Sequence, residues 1–151
     1  MLSGGHWCDG NGHCGLSDKV ERTTDSGSTF EELAPLPYDL NQHCLKVVDE
    51  DTLFVAGGHG GTWSQWFDSF RKEAYLYRFS ANNWTELSLM TYGREGLTCS
   101  LIENQNAQQE IVVTGGWDGR GALNSVEIWN FHTEIWRAGE GLPQKFLPAF
   151  T

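Results

Sequence analysis

Long apolar runs are missing from this 151-residue sequence. Stretches such as Leu53–Ala56 end after a few residues, far short of the ~20 that a bilayer span requires. Basic charge is scarce as well. Ten Lys and Arg stand against twenty Asp and Glu, a net charge of −10. That balance disfavours nucleic acid, whose binding rests on cations displacing phosphate counterions, and it disfavours an anionic membrane surface. No apolar leader segment follows Met1, so the expected compartment is the cytoplasm, with a secreted parent left open. A Gly-x-Ser-x-Gly elbow and a Ser-His-Asp order are both lacking, which takes away the usual marks of a nucleophilic hydrolase. Aromatic residues and glycine, by contrast, are plentiful. The chain is 39% hydrophobic and 13% aromatic, too apolar for disorder. It has seven Trp and 18 Gly, the latter well above the ~7% usual share. Glycine weakens helix interiors and large aromatics suit strands, so an all-β chain with many tight turns is expected. Its length allows one domain with a core of its own.

Glycine doublets at Gly4-Gly5, Gly57-Gly58 and Gly115-Gly116 divide the chain into units of about fifty residues. The second and third doublets close the apolar runs TLFVAGG and EIVVTGG. Past each doublet, Val20, Ala74 and Val126 open a further short run, and a large aromatic follows ten residues later at Phe30, Trp84 and Trp136. Hairpin patterns recur within the units. CLKVVD and TLFVAGG flank Glu50-Asp51, AYLYRF and NWTEL flank Ser80–Asn82, and SVEIWNF and EIWRA flank His132-Thr133. In the first unit KVERTT and STFEEL flank Asp25–Gly27. Four short strands per unit make a meander of propeller-blade length.

This pattern resembles the kelch repeat, whose blades close strand b with a Gly-Gly doublet and carry a Tyr in strand c and a Trp seven residues later in strand d. Tyr77 with Trp84, and Trp129 with Trp136, fill those places; Thr23 and Phe30 stand there in the first unit, which is degenerate. The resemblance implies an all-β fold of kelch-type β-propeller blades, each a four-stranded antiparallel meander. About 2.75 blades are present, too few to close a ring of ~4–8. Residues 1–38 read as a partial blade with strands b, c and d, 39–90 and 91–143 as blades, and 144–151 as the start of the next strand a. The rest of the propeller is expected from a longer chain or another subunit.

The doublets themselves read as close backbone approaches rather than phosphate loops, since no helix follows them. Candidate binding residues lie in the connections. The loop from His59 to Glu73 holds Trp63, Trp66, Phe67 and Phe70, four aromatics outside the repeat pattern, and reads equally as a contact surface or a satellite core. Trp117 and Arg120 lie in the matching, shorter loop of the next unit. Arg94 lies in the d–a connection LMTYGREG, at a place where the resemblance implies a residue facing the ligand; Leu40 and Phe146 occupy it elsewhere. Arg94 and Arg120 together could grip an acidic peptide, against the alternative that both are solvated.

His6, Cys8, His13 and Cys14 sit close in sequence, but their spacing matches no standard zinc pattern, and no metal or other cofactor is expected. Cys8 and Cys14 read as two free thiols in a b–c loop, a local disulfide being sterically open to them. Cys44 and Cys99 read as small buried side chains. Asn83-Trp84-Thr85 is an N-glycosylation sequon, discounted because Trp84 is expected to be buried and no leader is seen.

The resemblance implies a protein–protein interaction module that presents b–c and d–a loops to a protein or peptide partner. Substrate recognition for a cullin-type ubiquitin ligase and actin binding are the two such roles it suggests. A galactose-oxidase-like or sugar-isomerising enzyme is the alternative, disfavoured because the tyrosines and histidines are scattered and no catalytic set stands out. A secreted recognition fragment carrying a disulfide is the third reading.

Overall fold

The computed structural model of the chain describes residues 2–60 and 70–144. The first unit holds β1 (Leu2–Ser3), β2 (His6–Cys8), β3 (Cys14–Leu16), β4 (Val20–Arg22) and β5 (Glu31–Glu32). The second holds β6 (Cys44–Val47), β7 (Thr52–Ala56), β8 (Ala74–Arg78) and β9 (Asn83–Glu86). The third holds β10 (Thr98–Glu103), β11 (Gln109–Thr114), β12 (Val126–Asn130) and β13 (Ile135–Ala138). The second and third units each form one four-stranded sheet in chain order, and every pairing is antiparallel. Leu53 lies opposite Tyr77 and Ile111 opposite Trp129, the same register in both sheets. The first unit supplies the partial sheet β1-β4-β5, and the described blades leave the ring open.

One connection is more ordered than its sequence implies. The first unit's b–c loop folds into a small hairpin, β2 with β3, whose tip is tied by Asp9 accepting from the amides of Asn11 and His13.

The continuous apolar runs are strands buried on both faces. Side chains alternate across a strand, so Leu53 and Val55 face backwards, with Tyr77, onto Val20, Leu33 and Leu36 of the first unit and onto Leu40 at the turn that opens the second. Phe54 and Ala56 face forwards onto Ile111, Val113 and Trp129 of the following sheet. A strand that must serve two interfaces has no polar face, and every residue of β7 is buried. The sheets come closest at β6 and β10.

The periodic tryptophans do more than fill space. Trp84 Nε1 donates to the Ala34 carbonyl at 3.0 Å, and Trp136 Nε1 donates to the Ser88 carbonyl at 2.7 Å. Each indole thus packs within its own blade and bonds to the backbone leaving the preceding one. Tyr77 and Trp84 lie 4.9 Å apart, and Trp129 and Trp136 lie 5.5 Å apart. Phe30, which has no N–H, is 51% exposed at this place in the first unit.

The cysteines require a correction. They are not free thiols: Cys8 pairs with Cys14, and Cys44 pairs with Cys99. Cys8 and Cys14 lie directly opposite in the β2–β3 register. Cys44 corresponds to Thr98, one place before Cys99, because each pairs with the residue just before its glycine doublet, Ala56 and Thr114. That offset of one is decisive in a strand. It turns Cys99 to the face opposite Thr98, back toward the preceding blade, where Cys44 points forwards. Their Cα atoms are 5.9 Å apart, within the span a disulfide bridges.

Candidate functional site

The second glycine of the first and second doublets latches consecutive units together. Gly5 N donates to the Leu40 carbonyl at 2.6 Å, and Gly58 N donates to the Arg94 carbonyl at 2.8 Å. Leu40 and Arg94 therefore hold equivalent places at the start of consecutive blades. Gly58 has φ +97°, and a Cβ there would lie 2.7 Å from the Asn41 carbonyl oxygen, so the latch needs glycine. The next residues pair within their own unit: His59 exchanges backbone bonds with Asn41, and Trp117 with Glu95.

His43 is wedged beside this junction. A Cβ on Gly4 would lie 2.8 Å from its Cε1, and one on Gly58 would lie 2.8 Å from its Cβ. Burial pulls its imidazole down to about 4. The folded value lies below the unfolded one of ~6.5, so the unfolded chain takes up the proton first. Stability is complete above the unfolded value and is lost as pH falls towards 4, by about 3 kcal/mol. Urea denaturation at pH 7 and pH 4.5 should show most of this loss in the native sequence and a smaller one in His43→Phe. Equal losses in both would remove His43 from the account.

The b–c segment of the second unit returns against the d–a connection of the third. Arg94 N donates to the Arg71 carbonyl, and Met90 N to that of Lys72. Gly93 sits over the Phe70 carbonyl with no room for a Cβ, and Gly119, at φ +88°, is pressed against the Phe70 ring. Between them opens a cleft of about 310 Å³ lined by Phe70, Lys72, Thr91, Tyr92, Gly93, Asp118 and Arg120. Phe70 is fixed at its rim by a bridge to His59 and an edge-on ring contact of 5.4 Å with that residue. Tyr92 is 46% exposed. Asp118 shapes the facing loop by accepting from the amides of Arg120 and Gly121, each at 2.9 Å. Burial alone would raise its carboxyl, but those amides and the Arg120 charge hold it below the ordinary carboxylate range. The cleft thus offers aromatic surface between two exposed cations, Lys72 and Arg120, with one carboxylate on the wall.

The sequence-derived candidates separate here. Phe70 and Arg120 meet in the cleft. Trp117 is half-buried and lies at the junction with Glu95 rather than in the cleft. Trp63 and Trp66 lie outside the described residues. Arg94 is a correction to the solvated alternative: it is fully buried. Its Nη2 reaches Glu127 Oε1 at 2.8 Å and Ser125 Oγ at 2.8 Å, and its Nη1 reaches the Gly115 carbonyl at 2.9 Å. Burial pulls the guanidinium down and the Glu127 carboxylate opposes that. The groups its two Nη atoms bind all belong to its own blade, so Arg94 pins the d–a connection, while its buried Nε has no partner among the described residues. Lys72, Thr91, Tyr92 and Asp118 were missed. For Tyr92 a signal existed, an aromatic two places before Arg94 in a glycine-containing turn.

A Kelch motif is matched over residues 107–143. Kelch-like protein 36 of Bos taurus is 30% identical over 134 residues, covering 85% of this chain and 20% of the relative. Kelch repeat and BTB domain-containing protein 12 of Danio rerio is 30% identical over 149 residues, covering 87% and 22%. The chain therefore spans about a fifth of the length of these curated relatives. The solved structure of YjhT is similar with a TM-score of 0.71 at 16% identity, covering 94% of this chain and 48% of that one, a likeness of fold.

Proposed function

The chain belongs to the kelch-repeat family, and from that premise we propose that its blades hold a protein partner by a peptide segment seated in the cleft between the second and third units. The observation that carries this reading is the convergence of a b–c segment, a d–a connection and the next b–c loop on one opening, with Phe70, Tyr92 and Arg120 at its surface. Tyr and Arg are the side chains that most often dominate binding energy at protein interfaces. An apolar side chain seated in the cleft would meet Phe70 and Tyr92, and a neighbouring carboxylate would be met by Lys72 and Arg120. The acidic-peptide reading keeps Arg120 and takes Lys72 in place of Arg94.

Delivery of a partner to a cullin-type ubiquitin ligase and actin binding are the cytosolic forms of this role. The two disulfides favour its other form, recognition outside the reducing cytosol.

The test uses the full-length protein, cross-linked in the cells that make it, beside Tyr92→Ala and Arg120→Glu variants. Both positions are exposed, so the melting temperature should hold. Loss of a hot-spot side chain costs about 2 kcal/mol, roughly thirtyfold in Kd, and partners held by the cleft should fall away accordingly. Recovery of the same partners in equal yield from both variants would overturn the proposal.

A further inference from the structure

We propose that Asn83 carries an N-linked oligosaccharide. This rests on the extracytosolic form of the reading above and is independent of what the cleft binds. Asn83-Trp84-Thr85 is the single Asn-x-Ser/Thr sequence in the chain. Burial of Trp84 is the ground for discounting modification when the sequence is read alone; the structure leaves Trp84 half-buried, and its inward packing turns into support once the strand is in view. Asn83 opens β9, the last strand of its sheet. Alternation sends Trp84 inward, to Tyr77 and the Ala34 carbonyl, and leaves Asn83 and Thr85 exposed together on the other face. The neighbouring Asn82 is committed to structure, its Oδ1 accepting from Ala34 N and the Tyr77 hydroxyl. Asn83 corresponds in the third unit to Ile135, since Asn83 pairs with Arg78 as Ile135 pairs with Asn130. Ile135 is 61% exposed, so this place in the blade opens to solvent with room for a bulky substituent. A glycan there would also screen the unpaired edge of β9.

The cysteines point the same way independently. All four are paired, and Cys44–Cys99 joins two blades across 55 residues of sequence. Each pair forms by passing two electrons and two protons to a disulfide of an oxidising compartment, the kind of compartment in which sequons are also glycosylated. In that transfer Asn83 Nδ2 attacks C1 of an oligosaccharide linked to a lipid diphosphate. The C1–N bond forms, the C1–O bond to the diphosphate breaks, the lipid diphosphate leaves, and one amide proton is lost.

The experiment takes the full protein from the cells that make it, alkylates it without reduction, and treats its peptides with an N-glycosidase in heavy-oxygen water. Expected are an Asn83 peptide converted to labelled aspartate and a Cys44 peptide linked to a Cys99 peptide. Thr85→Ala, made in the same cells, should lose the glycan and keep the disulfides. An unmodified Asn83 in protein whose disulfides are intact overturns this proposal and leaves the extracytosolic reading standing. Four alkylated cysteines overturn both.

Discussion

Replacing Arg94 with alanine is expected to destabilise the fold by about 3–5 kcal/mol, because it leaves Glu127 as a buried charge without its counterpart. Glu127→Ala should cost a similar amount and also strand the amides of Thr91 and Tyr92, which donate to that carboxylate. The preceding blade solves the same packing problem without charge. Leu40 stands where Arg94 does, and Tyr75, opposite Val55, stands where Glu127 does, opposite Val113. Pro37 stands where Thr91 does, so that blade has no amide there to satisfy. The triple variant Arg94→Leu, Glu127→Tyr, Thr91→Pro should therefore recover most of what either single change loses, since an apolar replacement of a buried ion pair is often neutral. Chemical denaturation of the three variants decides the point. A triple variant as unstable as the singles would mean that the two blades are not interchangeable here.

Removing the Cys44–Cys99 bridge, by reduction or by the double Ser variant, is expected to cost about 4 kcal/mol, the chain-entropy value for a loop of that length. The pair ties the first strands of adjacent blades, where the sheets converge. Opening it should separate the blades before it unravels either sheet, and exchange of the β6 and β10 amides should rise first. The Cys8–Cys14 bridge closes only the β2–β3 hairpin, so the same relation gives its loss about 2 kcal/mol, roughly half the effect on the global transition. Coincident urea curves with and without reductant would show that the inter-blade bridge carries no stability.

The strands were legible because their signals are local. Apolar runs, doublets and aromatics at fixed offsets name the four strands of the second and third units without any knowledge of what they touch. The side chains that bridge units were harder to read, because their role depends on which face of a strand they occupy. Cys44 and Cys99 read as two small buried side chains one residue out of alignment along the chain, and that one-residue offset is what makes them face each other. The same parity hid Asn83: the inward packing of the half-buried Trp84 says nothing about its two neighbours except that they point away. Arg94 was misjudged for a related reason. Its sequence neighbours form a surface turn, and only the register of β11 with β12 brings Ser125 and Glu127 beneath that turn to receive it.

The amide-to-carbonyl link from Gly5 to Leu40, repeated from Gly58 to Arg94, uses no atom that varies among amino acids at the accepting residue. One molecule already shows two unlike occupants at that place, a leucine and an arginine, with the junction unchanged. Substitution is thus constrained at the donor, where only glycine fits, and permitted at the acceptor and in the turn around it. Blades assembled in this way can exchange the chemistry of their rims one turn at a time without renegotiating how neighbours adhere.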